Sequence, residues 1–238
     1  RADIFTVKIY WTTMTIISNN IINIYYILLD NYGNQNWWPV TGGGKFEIIV
    51  GAILCQNVSW KNVQTSLELL KINNLWDYRA IYQSNFEHLS ECIKSSRYFN
   101  QKAQTLKNFV TLVIEDFNGQ EEKLFSLPLK DLRNTLLSIN GIGPETADDI
   151  IVYAALKPSF IIDQYTKRIA SRVGITPLNN SYSEFQTIFE KKLPKDQKLY
   201  GEFHALLDKH GSNICTKKNP LCEKCCLQNI CKHYLVNK

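Results

Sequence analysis

The chain has 238 residues, of which 45% are hydrophobic and 21% are charged, and its formal net charge is +5 at pH 7. This length and composition indicate a folded globular protein with one large core or two helical lobes, and they exclude an intrinsically disordered chain. The excess of 27 Lys and Arg over 22 Asp and Glu residues permits an anionic partner but does not require one.

The first long apolar stretch, TMTIISNNIINIYYILL, covers residues 13–29. Three asparagines interrupt it, and it lacks a small-residue cleavage site. It therefore predicts a buried amphipathic helix, and neither a membrane span nor a signal peptide. Without a secretion signal we expect a reducing compartment, in which cysteines are more often ligands or free thiols than disulfides.

An aromatic segment with three consecutive glycines, NWWPVTGGGKFE, follows at residues 36–47. GGGK at 42–45 lacks the glycine spacing and the Ser or Thr of a phosphate-binding loop, which excludes a nucleoside triphosphatase of that kind. The next residues predict a helix with one buried face, and Gln56 and Asn57 form a polar step at its end. The buried face consists of Phe46, Ile49, Val50, Ile53 and Leu54.

The stretch INGIGPETADDI at residues 139–150 predicts two helices joined by a tight turn. Gly141 and Gly143 would supply a positive φ or a close backbone approach, and Pro144 suits the first position of the second helix. Amides at such a turn bind phosphate without reading a base. A plain helical hairpin in a bundle has the same pattern, so the residues alone leave both interpretations open. The second helix has an apolar face made of Ala147, Ile150, Ile151 and Ala154.

Asp163 stands directly before another helical stretch, QYTKRIASRVG. This position predicts that its side chain caps the helix. A carboxylate at a helix N-terminus stays ionised, which also suits a group that stabilises a positively charged sugar or accepts a proton from water. The two roles are compatible.

Five of the seven cysteines lie in the last 24 residues, in the stretch CTKKNPLCEKCCLQNIC. Four of them have the spacing C-x6-C-x2-C-x5-C, and four thiolates on one short loop can close around a single metal centre. Structural zinc and an iron-sulfur cluster both fit this spacing. These four are Cys215, Cys222, Cys225 and Cys231, and Cys226 is a fifth beside the third.

GIGPETADDI closely resembles the helix-hairpin-helix of DNA glycosylases, and the cysteine run resembles the 4Fe-4S loop of the endonuclease III family. The resemblance covers nearly everything from about residue 20 onward. It implies an all-α fold with a DNA groove between two helical lobes. One lobe would be residues 37–152, with the hairpin at about 132–152. The other would be residues 1–36 plus 153–238, with a 4Fe-4S cluster on loop 215–231 and Cys226 as a non-ligand.

The same resemblance implies roles for individual residues. Asp163 matches the catalytic aspartate, which follows the hairpin at this distance. Gln56 in ILCQN matches the glutamine that fills the hole left by an extruded base, and Tyr98 in SRYFNQKA matches the wedge between base pairs. At the hairpin, the residues implied to contact DNA are Gly141, Ile142, Gly143 and Glu145.

Glu145 occupies the position at which bifunctional family members carry a lysine that attacks the sugar. A carboxylate cannot form that imine, so the resemblance implies a monofunctional enzyme that leaves an abasic site. The paired tryptophans with proline and the KFE helix start resemble the 3-methyladenine DNA glycosylase branch. They imply a base pocket with Trp37, Trp38 and Phe46 and a positively charged alkylated purine as substrate, because aromatic faces attract cations.

Two alternatives remain open at this point. One keeps the enzyme class but changes the base to uracil, mismatched thymine or an oxidised pyrimidine. The other is a non-catalytic module that binds DNA structure, and Asp163 counts against it. The expected partner is double-stranded DNA with a damaged base. We expect a monomer without membrane association, in the cytoplasm or nucleoid, or in the nucleus of a eukaryote.

Overall fold

The fold comes from a computed structural model that describes residues 21–177 and 179–237. All regular elements in these ranges are helices and none is a strand, which confirms the predicted all-α class. The predicted N-terminal helix is present from Ile21, whereas its first part, residues 13–20, lies outside the described residues. None of the described helices combines the length and the apolar character needed to cross a bilayer.

The helices are numbered here in chain order. Short 3₁₀ turns at Lys94–Ser96, Cys222–Lys224 and Gln228–Ile230 lie between them, and α9 continues into a π-helical turn at Ile150–Ala154. The helices are α1 Ile21–Tyr32, α2 Gly44–Leu54, α3 Trp60–Ile72, α4 Tyr78–Gln83, α5 Phe86–Cys92, α6 Phe99–Asp116, α7 Glu121–Ser126, α8 Leu129–Leu137, α9 Pro144–Asp149, α10 Gln164–Val173, α11 Tyr182–Lys192, α12 Gln197–Asn213 and α13 Lys232–Val236.

The chain divides into two compact units, which we call the cysteine unit and the hairpin unit. The cysteine unit joins the described residues up to Trp37 with those from Phe160 onward, and the hairpin unit runs from Trp38 to Ser159. This division places residues 153–159, which the resemblance assigns to the other lobe, in the hairpin unit, and the π-helical turn that begins this stretch is buried. The placement of the two lobes around a DNA groove stays a prediction.

The core of the hairpin unit is built around α2, which is buried along almost its whole length. Glu47 of this helix is also buried, and it accepts hydrogen bonds from the backbone N–H groups of Thr41 and Gly43, both at 2.8 Å. Burial raises the pKa of Glu47, but these hydrogen bonds and the Lys71 charge outweigh burial and lower it below its ordinary value. The GGGK segment is therefore a loop closed by a side chain of the next helix.

Two lysines of α6 bind the carbonyl ends of neighbouring helices. Lys102 is buried and donates to the carbonyl oxygens of Leu54, at 2.7 Å, of Gln56, at 3.0 Å, and of Ser96. Lys107 donates in the same way to the Ile81 carbonyl at 2.7 Å. A cation at these termini satisfies carbonyls that have no partner within their own helix. Lys102 thereby holds the end of α2 and the Gln56 backbone against α6.

The cysteine unit has a separate aromatic core. The rings of Phe160 and Phe189 stack with centroids 4.5 Å apart, and Tyr200 and Phe203 of α12 meet Phe160 edge-on. The helices α10 and α12 pack closely at Gly211. A Cβ at this position would lie only 2.6 Å from side-chain atoms of Tyr165. This contact places Tyr165, the second residue of α10, against the last turn of α12.

Candidate functional site

The turn between α8 and α9 requires glycine at one of its two glycine positions. Gly141 has φ +97°, and a Cβ there would lie 1.9 Å from Oγ1 of Thr105 on α6. Gly143 has φ −90°, and no described atom lies within 4 Å of a Cβ built on it. Gly143 therefore has neither the predicted positive φ nor a close approach within the protein, and its approach to DNA stays a prediction. Ile142 is 5% exposed and its backbone N–H donates to the Ile139 carbonyl oxygen at 3.0 Å, so its contact with DNA stays a prediction.

A buried ion pair connects the two helices of the hairpin. Arg133 on α8 donates to both carboxylate oxygens of Asp148 at 2.9 Å each, and the Ser159 hydroxyl donates to the same carboxylate at 2.7 Å. Asp148 is fully buried, so these bonds provide the compensation that a charge in the interior needs. The sequence reasoning missed this pair. The sequence feature that could have predicted it is the acidic pair Asp148 and Asp149, which lies on a helix with an otherwise apolar inner face.

Gln56, Tyr98 and Gly141, three of the predicted DNA-contacting residues, lie around one cavity of the hairpin unit. Its volume is about 220 Å³, and an apolar cavity of about 150 Å³ already holds benzene, so there is room for a ring. Gln56 Nε2 donates to the Thr146 hydroxyl of α9 at 2.7 Å, which ties this side chain to the hairpin. The cavity is also lined by Ile53, Asn57, Gln101, Lys102 and Thr105.

A left-handed backbone segment presents Tyr98 to solvent. Arg97 and Tyr98 have φ angles of +51° and +52°, a region that costs non-glycine residues on the order of 1–3 kcal/mol each. Tyr98 is 54% exposed, and the Arg97 guanidinium carbon lies 5.0 Å from its ring centroid. The loop thus holds an aromatic ring outside the core, as the predicted wedge requires. Arg97, which the sequence reasoning did not single out, flanks that ring.

The predicted pocket residues fall into different surroundings. Trp38 lies over Gly51 of α2, and its ring centroid is 5.4 Å from that of Trp60 and 5.5 Å from that of Tyr153. Trp38 and Trp60 are half-buried, so this group combines packed and accessible ring surface. Trp37 is also half-buried but belongs to the cysteine unit. Trp60 was missed by the sequence reasoning, although it follows Gln56 by four residues.

Phe46 lies in a second aromatic group of the hairpin unit. Its ring meets Trp76 and Tyr78 edge-on, with centroids 5.5 Å and 5.0 Å apart, and the residue is 8% exposed. The Lys71 ammonium lies 4.3 Å from the Trp76 ring centroid. Phe46 is thus a core residue of its unit, as its helical pattern predicts, and its contact with a base stays a prediction.

Asp163 is a buried N-cap, as the sequence predicts. It immediately precedes α10, is 7% exposed, and its Oδ1 accepts the Thr166 backbone N–H at 2.6 Å. Asp163 belongs to the cysteine unit, whereas Gln56, Tyr98 and the hairpin belong to the other unit.

Two titratable side chains of α12, His204 and Asp208, lie within electrostatic range of Asp163. Burial lowers the pKa of His204, and the Asp163 charge partly opposes this shift. Burial first, and then the charge of Asp163, raise the pKa of Asp208 to about 6. The two residues are one helical turn apart and therefore share a face of α12. The candidate catalytic carboxylate thus has an imidazole and a second carboxyl group nearby, neither of which the sequence reasoning identified.

The four cysteines predicted as ligands line one cavity of the cysteine unit, and Cys226 is not among its lining residues. The free thiols raise one another's pKa, because burial and then the neighbouring thiols raise the pKa of Cys222. Among the described residues no three His, Cys, Asp or Glu side chains are gathered tightly enough for one metal ion. The four lining cysteines are Cys215, Cys222, Cys225 and Cys231.

Hydrogen-bond donors surround this cysteine loop. Arg172 on α10 donates to Cys215 Sγ at 3.2 Å and to the Thr216 carbonyl at 2.8 Å, and Arg168 donates to the Cys215 carbonyl at 2.7 Å. Four cysteines that line one cavity, with a cationic donor beside the Cys215 sulfur, are the type of donor set that a metal centre with thiolate ligands takes. The sequence reasoning did not single out Arg168 and Arg172, although they lie four residues apart and therefore share one face of α10.

The raised pKa of Asp208 makes the stability of the cysteine unit depend on pH. Because the folded-state pKa of about 6 exceeds the ordinary value of 3.8, the stabilisation from this proton is complete below about pH 4 and is lost as the pH rises through about 6. We predict that Asp208→Asn, which stays neutral, gains on the order of 1–2 kcal/mol relative to wild type between about pH 5 and about pH 7.5.

The measurement for Asp208→Asn is urea unfolding of both proteins at the two pH values. Both retain His204, whose pKa shift has the opposite effect on stability, so its contribution cancels in the difference. A difference in unfolding free energy that does not change with pH would contradict the prediction.

Similarity to known proteins identifies the family of this chain. The family model for HhH-GPD superfamily base excision DNA repair proteins matches residues 50–195. The MJ1434 protein of Methanocaldococcus jannaschii, which carries the name of a DNA repair glycosylase, is 44% identical over 89% of this chain and 95% of its own length. Endonuclease III of Sulfolobus acidocaldarius is 29% identical over 81% of this chain and 83% of its own length.

Solved structures give the same family. The 3-methyladenine DNA glycosylase of H. pylori, bound to 1,N6-ethenoadenine, superposes with a TM-score of 0.66 at 29% identity, over 77% of this chain and 90% of that one. A non-covalent endonuclease III–DNA complex superposes with a TM-score of 0.78 at 19% identity, over 91% and 96% of the two chains, which shows a shared fold. With its helical hairpin, its aspartate-capped helix and these matches, the chain belongs to the HhH-GPD superfamily of base excision DNA repair proteins.

Proposed function

We propose that this protein is a monofunctional DNA glycosylase that releases an alkylated purine, such as 3-methyladenine, from double-stranded DNA. The observation that carries the proposal is Glu145, an exposed carboxylate in the first turn of α9. A family member that cleaves the strand needs an amine at this position to form an imine with the sugar. Glu145 cannot supply it, so the reaction ends with the released base and an intact abasic strand.

Asp163 is proposed as the catalytic residue. Its carboxylate would stabilise positive charge on the sugar as the glycosidic bond breaks, or accept a proton from the attacking water. Its cap hydrogen bond with Thr166 orients the group, and burial strengthens its field. Because an alkylated purine is already a good leaving group, the enzyme needs little acid catalysis at the base.

The substrate class rests on the aromatic group around Trp38 and Trp60. Half-buried tryptophans provide faces on which an extruded base can stack, and a cationic base gains a further cation–π attraction. The H. pylori relative that is 29% identical is a 3-methyladenine DNA glycosylase. Both observations favour a cationic purine over a neutral base such as uracil.

The cysteine cavity is proposed to hold a 4Fe-4S cluster with Cys215, Cys222, Cys225 and Cys231 as ligands. When bound, such a cluster would tie the loop together and supply one-electron redox chemistry. Arg172 and Arg168 would hold the loop against α10 through their bonds to Cys215 and Thr216.

The role of Asp163 is tested by Asp163→Asn, with Asp196→Asn as the matched control. Asp196 caps α12 through the Leu199 N–H, and asparagine preserves both caps because its amide oxygen also accepts. We expect Asp163→Asn to fold and bind DNA but to lose at least ~100-fold in single-turnover base release. Asp196→Asn should match wild type. Near-normal release by Asp163→Asn would leave Asp163 as a cap without a catalytic role.

The role of Glu145 is tested by analysing the DNA strand that remains after the base is released. We expect abasic strands that break only after alkali, and no covalent adduct after borohydride reduction, because no imine forms at this position. A known lyase of the family serves as the positive control for trapping. A stoichiometric borohydride-trapped adduct with wild-type protein would overturn the monofunctional assignment.

The substrate class is tested by single-turnover release of 3-methyladenine, of uracil, and of thymine opposite guanine. We expect fastest release of the methylated base. Trp60→Ala should cost about 2- to 30-fold more on the cationic base than on uracil, corresponding to roughly 0.5–2 kcal/mol of cation–π attraction. Trp76→Ala, from the other aromatic group, is the control and should affect all bases equally. A preference for uracil, or an equal loss on all bases with Trp60→Ala, would argue for a neutral substrate.

A further inference from the structure

His210 has a hydrogen-bond partner at each ring nitrogen. This residue of α12 is fully buried, its Nδ1 lies 2.8 Å from the Tyr32 hydroxyl oxygen, and its Nε2 lies 3.4 Å from Cys225 Sγ. Tyr32 is the last residue of α1, so the contacts run from the N-terminal helix through α12 to the cysteine loop. We call Tyr32, His210 and Cys225 the relay.

The two hydrogen bonds of the relay can run in either of two directions. A neutral imidazole has one N–H donor and one acceptor nitrogen, so one partner must donate to it and the other must accept from it. If Cys225 is a thiol, it can donate to Nε2, and Nδ1–H then donates to Tyr32. If Cys225 is a thiolate, it can only accept, so Nε2 must carry the proton and the Tyr32 hydroxyl must donate to Nδ1.

Coordination of Cys225 to a metal would select the second direction, because a thiolate ligand has no proton to donate and can only accept. A metal-bound Cys225 therefore receives a hydrogen bond from a buried donor whose orientation is set by Tyr32. Cys226, next in sequence, lies outside the cysteine cavity.

We propose that Tyr32 and His210 are positioning residues for a cluster in the cysteine cavity, where the relay donates an N–H to the Cys225 ligand and selects Cys225 over Cys226. This inference rests on the proposed iron-sulfur cofactor and is independent of the substrate. A hydrogen bond to a ligand sulfur withdraws electron density and so raises the reduction potential of a cluster. A hydrogen bond from the Tyr32 hydroxyl to Nδ1 makes Nε2–H a stronger donor, so both residues raise the potential.

The test is a potentiometric titration of purified full-length protein, followed by its absorbance near about 400 nm, where iron-sulfur charge transfer is expected. Tyr32→Phe removes one oxygen atom and leaves the ring, and Tyr25→Phe is the control. Tyr25 lies on the same helix, and its ring packs against Phe203 with centroids 5.5 Å apart. We expect a negative shift of the midpoint potential for Tyr32→Phe, a larger one for His210→Leu, and the wild-type value for Tyr25→Phe.

Ligand choice has its own readout in iron and sulfide content. We expect Cys226→Ser to keep the wild-type iron per chain and Cys225→Ser to lose it. An unchanged potential in Tyr32→Phe with full iron content overturns the relay, even if His210→Leu does not fold. Equal iron loss in Cys225→Ser and Cys226→Ser also overturns it. Stoichiometric zinc in anaerobically purified wild type would overturn both the cofactor and the relay, while leaving the glycosylase assays unaffected.

Discussion

The buried Asp148 carboxylate is the constraint on which the hairpin unit depends. A charge in the interior must be compensated, and here Arg133 and Ser159 do so with three hydrogen bonds. These bonds connect α8, α9 and the chain that leaves the hairpin. With the two helices held at a fixed spacing, Gly141 can approach Thr105 of α6 at a distance that excludes any side chain.

The close approach of Gly141 to Thr105 places the glycine turn beside Gln56 and Tyr98. Residues that are far apart in the chain therefore line one cavity, where the predicted DNA contacts lie. Lys102, which also lines this cavity, holds the end of α2 and the Gln56 backbone through its bonds to the Leu54 and Gln56 carbonyl oxygens. The candidate wedge and the candidate base-replacing glutamine are thus both supported by buried polar contacts, and rigid support of this kind is what precise recognition requires.

In the cysteine unit, a single helix connects two kinds of chemistry. The N-terminus of α10 is capped by Asp163, the candidate catalytic carboxylate, and its C-terminal half carries Arg168 and Arg172, which bind the cysteine loop. The close crossing at Gly211 fixes this helix against α12, which contributes His204, Asp208 and His210. One helix therefore carries the candidate catalytic carboxylate at its N-terminal cap and contacts the cysteine loop through its two arginines.

The sequence by itself determined the all-α class, the hairpin with Pro144 at its second helix, the Asp163 cap and the spacing of the four cysteines. Caps, turns and helical periodicity depend on residues a few positions apart, so a short stretch of sequence is enough to predict them. The tertiary structure decided that Trp60 joins Trp38, that Gly143 has neither a positive φ nor a close contact within the protein, and that Arg133 and His210 find their partners. Those outcomes depend on which distant surfaces meet, and burial, pKa and hydrogen-bond direction follow from that meeting and not from local sequence.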